Sequence, residues 1–188
     1  QLNGLPGFAE IFFDDVRVSD FNLIGEEGGG WAIAMATAGF ERGLMLRSPA
    51  RFQQASRRLV ELYRQRQNDI LDLSIEDSVV RCYMDAEAYA LSTYQTASRL
   101  INNGAIGPES SCNKIFWSEL DLRIHETAMS LLGAKAEIEP SSPDADQQLA
   151  NWLDGFLFAQ SGPIYAGTNE IQRNIIAERM LGMPRSEE

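Results

Sequence analysis

The spacing of apolar residues changes once along the chain, near Trp31. Before it, Phe8 to Val18 (FAEIFFDDVRV) is rich in aromatic and branched residues with partial alternation, and this pattern predicts a short strand. Asp14-Asp15 interrupts it as a turn or bulge would, and Asn22 to Gly30 (NLIGEEGGG) is a loop. From Trp31 onward the period is helical. A first helix is expected from about Trp31 to Gln67, bent or broken at Ser48-Pro49, with Leu59, Leu62 and Tyr63 at i, i+3, i+4. A second is expected from Ser74 to Asn102, opened by a near capping box of Ser74 and Asp77 and ended by Asn102-Asn103-Gly104. A third runs from Pro108 to Leu132 and stops at Gly133. A fourth, Ala145 to Gln160, carries Leu149, Trp152, Leu153 and Phe156 on one face; Thr168 then caps a last helix reaching about Leu181.

Three long amphipathic helices and two shorter ones with brief connections predict an all-α, up-and-down, four-helix-type bundle with a short extra C-terminal helix. The N-terminal β segment is left without a sheet, and an isolated strand is marginal in water.

Length and composition narrow this picture. With 188 residues, 44% of them hydrophobic and 23% charged, the chain can bury a full core. The formal charge of -11 opposes nucleic acid and anionic membrane surfaces. Lys114 and Lys135 are the only lysines; arginine supplies the other cations and suits fixed carboxylate or phosphate pairs. No stretch approaches the ~18 apolar residues of a membrane span, and Gln1-Leu2-Asn3-Gly4 lacks the marks of a signal peptide. A cytoplasmic chain is the expectation, with Cys82 and Cys112 as buried or half-buried thiols.

Candidate chemistry is sparse. His125 is the sole histidine and has no ligand partners at metal spacing, so no metal site is expected. No HExxH, GxSxG or P-loop occurs. Gly28-Gly29-Gly30 reads as a domain junction or as a set of N–H groups facing an anion. Glu41, in Gly39-Phe40-Glu41-Arg42-Gly43, is either a solvated helix glutamate or a carboxylate in apolar surroundings, and in the second case burial would make it a general base. Ser161 to Arg173 (SGPIYAGTNEIQR) is either an ordinary helix-loop-helix turn or a cluster of free N–H groups before Thr168, where Glu170 opposes a bound anion.

Three stretches are more specific than these physical signals. Gly162 to Arg185 (GPIYAGTNEIQRNIIAERMLGMPR) resembles the C-terminal end of acyl-CoA dehydrogenases. Phe12 to Trp31 (FFDDVRVSDFNLIGEEGGGW) resembles the end of that family's middle β-domain, and Gly107 to Gly133 its third bundle helix with the Leu-Leu-Gly end. The resemblance spans nearly the whole chain in order. It implies residues 1–27 as a remnant of the β-domain and linker, and 28–188 as the C-terminal helical bundle. It further implies FAD as cofactor, an acyl-CoA substrate, electron-transfer flavoprotein as acceptor, and self-association as a dimer or tetramer, or a heteromer. The isolated 188 residues are expected to be inactive and to bind FAD weakly.

The resemblance implies α-proton abstraction by a carboxylate with β-hydride transfer to flavin N5. Many family members place that carboxylate second in a Tyr-Glu-Gly-Thr motif; here the position is Ala166, whose methyl takes no proton. A second family arrangement puts a glutamate in a Glu-Arg pair on the first bundle helix, which Glu41-Arg42 matches. The base is therefore expected at Glu41, with Arg42, Tyr165 and Ala166 lining the substrate, as in branched-chain, long-chain and sterol-type members. Gly167, Thr168 and Glu170 are implied as cofactor contacts. The family's Arg-x-x-Phe-Gly is absent, Arg64 or Arg66 being possible substitutes, and Gly-Gly-Asn-Gly is replaced by Gly133-Ala134-Lys135-Ala136. These departures keep open a non-catalytic assembly subunit of a heteromeric member, or an oxidase-like paralogue.

Overall fold

The computed structural model describes residues 1–43, 47–69, 74–103, 107–137 and 147–185, with side chains described for all of these except 38–43, 69, 103, 137 and 147–150. Six α-helices occur among the described residues: α1 Gly30–Gly43, α2 Pro49–Arg66, α3 Ser74–Asn103, α4 Ser110–Leu132, α5 Gln147–Ala159 and α6 Asn169–Ile175. One π-type turn, Ile176–Met180, extends α6.

The break at Ser48-Pro49 divides the expected first helix into α1 and α2. Pro49 sits at the start of α2, where its missing N–H costs nothing. The third helix starts at Ser110 rather than Pro108, because Glu109 occupies the cap position. The short last helix lies where Thr168 predicts it, with the threonine hydroxyl accepting from the Ile171 amide at 3.3 Å.

No strand forms among the described residues, so the strand expected over Phe8 to Val18 is corrected to unpaired chain. The reason is the absence of a second edge: the aromatic and branched residues favour a pleated surface, but a strand needs a partner for its N–H and C=O groups. The interruption read at Asp14-Asp15 is present, Asp15 having a left-handed φ of 47°.

The core is built from α2, α3, α4 and α5. α2 buries Phe52, Leu59 and Leu62, and α3 buries Val79, Cys82, Ala86, Tyr89, Thr93 and Thr96 at alternating three- and four-residue steps. α4 packs against α2, α3, α5 and α6, and so loses polar exposure nearly all round. Besides Trp117, Leu120, Ile124 and Ala128 it buries Lys114, Ser118, Asp121 and His125. Phe52 meets Tyr89 edge-on at 5.2 Å and Trp117 at 6.4 Å. Each fully buried large apolar side chain of this kind contributes roughly 1.5–3 kcal/mol. Of the two thiols, Cys82 is buried as expected, whereas Cys112 is exposed, its sulfur 4.0 Å from Met180 Sδ.

Candidate functional site

The chain between α5 and α6 folds into a tight turn pressed against α4. Ser161, Gly162 and Tyr165 donate backbone bonds to Phe158, Ala159 and Ser161 carbonyls at 2.9–3.1 Å, and the Asn169 amide reaches back to Pro163 O at 2.9 Å. A Cβ on Gly162 would stand 3.4 Å from the Trp117 ring and 3.1 Å from Ala159 O, so the glycine permits the close approach. Ala166 and Gly167 both have left-handed φ, 56° and 84°. Ala166 carries this conformation with a Cβ, a strained choice for a non-glycine residue.

Two buried side chains hold the turn. Gln172 is 0% exposed and its Nε2 donates to Ala166 O at 3.2 Å and Gly167 O at 3.3 Å. Lys114, also 0% exposed, donates from Nζ to Asn169 Oδ1 at 2.7 Å, joined there by Ser118 Oγ at 3.1 Å. Burial pulls the Lys114 ammonium below its ordinary range, helped by Arg173 and opposed by Glu170 and Glu119. At the surface, Arg173 bridges Glu119 at 2.6 Å and Glu170 at 3.7 Å.

Tyr165 packs its ring 5.8 Å from Trp117. Arg47 lies over both rings, 5.1 Å from the Trp117 centroid and 5.3 Å from that of Tyr165, and donates to the Tyr165 hydroxyl. Burial raises the Tyr165 phenol above its ordinary value, against the lowering effect of Arg47 and Arg51. Four residues further on, in the first turn of α2, Arg51 pairs with the buried Asp121 at 3.1 Å. His125 Nδ1 lies 2.8 Å from Asp121 O and 3.4 Å from Asp121 Oδ1; a carbonyl only accepts, so Nδ1 carries a proton.

The expected site residues are thus only partly gathered. Tyr165, Ala166, Gly167 and Thr168 form one turn, and Glu170 stands exposed at the start of α6. Glu41 and Arg42 lie at the end of α1, but their side chains fall outside the described residues. Arg64 is not at this turn. It lies thirteen residues beyond Arg51 on α2, about 20 Å along the helix, and lines a groove of about 640 Å³ with Arg57, Tyr63, Glu76 and Tyr83. Arg47, Lys114, Trp117, Asn169 and Gln172 were not singled out from the sequence. The available signal was in α4, where Lys114, Ser118 and Asp121 fall at core spacing beside Trp117. Among the described residues no three potential ligands cluster to hold a metal, and no helix is long and apolar enough to cross a membrane.

Comparison with known proteins decides the family. Residues 28–181 match the model of the acyl-CoA dehydrogenase C-terminal domain. The chain belongs to the acyl-CoA dehydrogenase family. Among its relatives, acyl-CoA dehydrogenase IpdE1 of Mycobacterium tuberculosis (strain ATCC 25618 / H37Rv) is 34% identical over 98% of this chain and 46% of its own length. IpdE1 of Mycolicibacterium smegmatis (strain ATCC 700084 / mc(2)155) is 35% identical over 98% and 45%. Among solved structures, the Tcur3481-Tcur3483 steroid ACAD superposes with a TM-score of 0.78 at 25% identity, over 93% of this chain and 45% of that one. The ChsE4-ChsE5 complex from Mycobacterium tuberculosis superposes with a TM-score of 0.74 at 28% identity, over 94% and 46%. The chain spans about half the length of the curated relatives it matches.

Acyl-CoA dehydrogenases use FAD, and the turn can be compared with what that group requires. Gly167 is exposed, and a Cβ there would strike Gln172 Nε2 at 2.7 Å, so its backbone stays bare. Beside it stand Thr168 and the Glu170 carboxylate, which is held below the usual range chiefly by its own backbone N–H and by the Thr168 hydroxyl. Bare amide backbone, a hydroxyl and an ionised acceptor fit the hydroxyl-bearing part of a flavin nucleotide. They do not fit its phosphates, which call for cations from elsewhere.

Proposed function

We propose that this chain forms the C-terminal bundle of a flavin-dependent acyl-CoA dehydrogenase acting on a bulky, sterol-derived acyl thioester, with Glu41 as base. The observation that carries this is the Tyr165–Thr168 turn. Its second residue is alanine in a left-handed conformation, backed by Trp117 and held by Gln172, so it offers room and a dry wall but no proton acceptor. The acceptor must then come from another element, and Glu41-Arg42 on α1 is the pair the family uses for it.

The thioester carbonyl acidifies the α-carbon, and a carboxylate shielded from water becomes basic enough to take its proton. As the C–H bond at the α-carbon breaks, its electron pair forms the new double bond and hydride leaves the β-carbon. FAD, when bound, supplies the hydride acceptor at N5, and electron-transfer flavoprotein takes the electrons onward. In this scheme Tyr165, Ala166 and Arg42 line the acyl pocket, while Gly167, Thr168, Glu170 and, from the separate groove, Arg64 meet the cofactor. Residues 1–27 are assigned to the end of the preceding β-domain and 28–188 to the bundle. The exposure of Phe8 (89%), Phe12 (85%) and Phe21 (94%) supports that assignment, since such residues seek a covering surface.

A heteromeric assembly is a second reading, favoured by relatives solved as the ChsE4-ChsE5 complex and the Tcur3481-Tcur3483 pair. The outer face of α3 supports association, since Val80, Met84, Leu91, Tyr94 and Ile101 are exposed at heptad spacing. Flavin bleaching by the full-length assembled protein separates the readings. A ring-bearing acyl-CoA should bleach the flavin faster than a straight-chain ester in the wild type, and Glu41→Gln should abolish that bleaching; bleaching that survives Glu41→Gln would make this chain a non-catalytic subunit.

A further inference from the structure

Arg47, just before α2, and Arg51, in its first turn, both stand beside the Tyr165 turn, yet their circumstances differ. Arg51 is neutralised by the buried Asp121 carboxylate at 3.1 Å. Among the residues whose side chains are described, no carboxylate lies within ion-pair distance of Arg47. Arg47 is nonetheless half-buried and firmly placed. Its guanidinium covers the faces of Trp117 and Tyr165, it donates to the Tyr165 hydroxyl, and its backbone carbonyl accepts from Tyr89 Oη at 2.9 Å. Stacking uses the guanidinium faces and the tyrosine bond uses one edge, so among the described side chains the other N–H donors of the planar fork have no hydrogen-bond partner. Covering those donors with an alkyl chain would strip their water and give nothing back, a cost charged groups bear heavily.

We propose that Arg47 is a specificity-determining residue: its guanidinium receives a hydrogen-bond-accepting oxygen, ketone or carboxylate, carried by the acyl group away from the thioester. The inference rests on the reading of the Tyr165 turn as the acyl pocket. A site that hydrogen-bonds a substrate oxygen rejects the analogue lacking it far more strongly than an apolar pocket rejects an extra methylene. Arg47 would thus exclude plain fatty acyl chains and admit oxygenated ones.

The test uses the full-length assembled holoenzyme and three acyl-CoA esters of equal chain length: plain alkyl, one with a distal ketone, and one with a distal carboxylate. The readout is kcat/KM for each. Wild type should favour one oxygenated ester over the alkyl ester, and which one it favours identifies the oxygen. Arg47→Met should reduce that preference by about tenfold to a hundredfold, the loss expected of a charge-assisted hydrogen bond. Arg47→Lys should recover part of the preference if the favoured group is the carboxylate, which a point charge still attracts, and little if it is the ketone. A wild-type enzyme without preference for either oxygenated ester overturns the inference with no variant needed. So does an equal fall of kcat/KM on all three esters in Arg47→Met, which would reduce Arg47 to a prop for Tyr165. A wild type active on the esters but indifferent to the oxygen refutes the role of Arg47 alone; one that oxidises none of them refutes the dehydrogenase reading beneath it.

Discussion

The first thirty residues and the α2–α4 layer hold the same kinds of side chain in opposite conditions. Phe8, Phe12, Phe13 and Phe21 face solvent, whereas Phe52, Tyr89 and Trp117 are sealed into one another. The difference is not hydrophobicity but partners. α2 and α3 each show an apolar stripe to α4, while among the described residues Phe8 to Val18 has no second strand to pair with. Burial is a property of pairs of elements, and so is the stability that follows from it.

That contrast is broken most severely where the bundle encloses a charge. Asn169→Ala should cost about 3 kcal/mol in urea denaturation, because it leaves the buried Lys114 ammonium without its carbonyl partner. Lys114→Met should cost much less, since the charge leaves with the partner. Equal costs for the two would show that Lys114 is already neutral or solvated. A milder disturbance comes from pH. Burial lowers the His125 pKa below its ordinary 6.5, against Asp121 on its own helix and with Arg51 and Arg58 opposing protonation from α2. Below that pH the unfolded chain takes up the proton more readily than the folded one, so the stability His125 contributes is complete above about pH 6.5 and is lost as pH falls. His125→Gln should flatten this slope between pH 5 and 7; an unchanged slope would place the proton uptake elsewhere. The smallest effect belongs to the other region. Phe12→Ser should change the stability of the 188-residue chain by under about 0.5 kcal/mol. If residues 1–27 end a preceding β-domain, as proposed, the same substitution in the full-length protein should cost several times more, and equal effects in both would mean that nothing covers the segment.

These regions also differ in how legible they are. Helices α3, α4 and α5 follow from apolar spacing, and Pro49 and Thr168 mark the starts of α2 and α6 through local chemistry that needs no tertiary context. The strand pattern over Phe8 to Val18 was equally clear locally, but strands depend on a partner that no local pattern supplies. The turn at Tyr165–Thr168 was readable because its residues are consecutive. Arg47 and Lys114 were not, since their meaning lies in contacts with Tyr165 and Asn169, far along the chain. A lysine at a core position of α4 was the visible irregularity, and a polar residue on an apolar face is the signal to follow in such helices.

The most direct test of the central claim is single-turnover flavin bleaching in the full-length assembled enzyme, comparing wild type with Glu41→Gln. The account predicts that the variant still retains flavin and binds acyl-CoA, while its bleaching rate falls by about a hundredfold or more, as expected when a general base is lost. A variant that bleaches at close to the wild-type rate would contradict it, and would move proton abstraction away from α1.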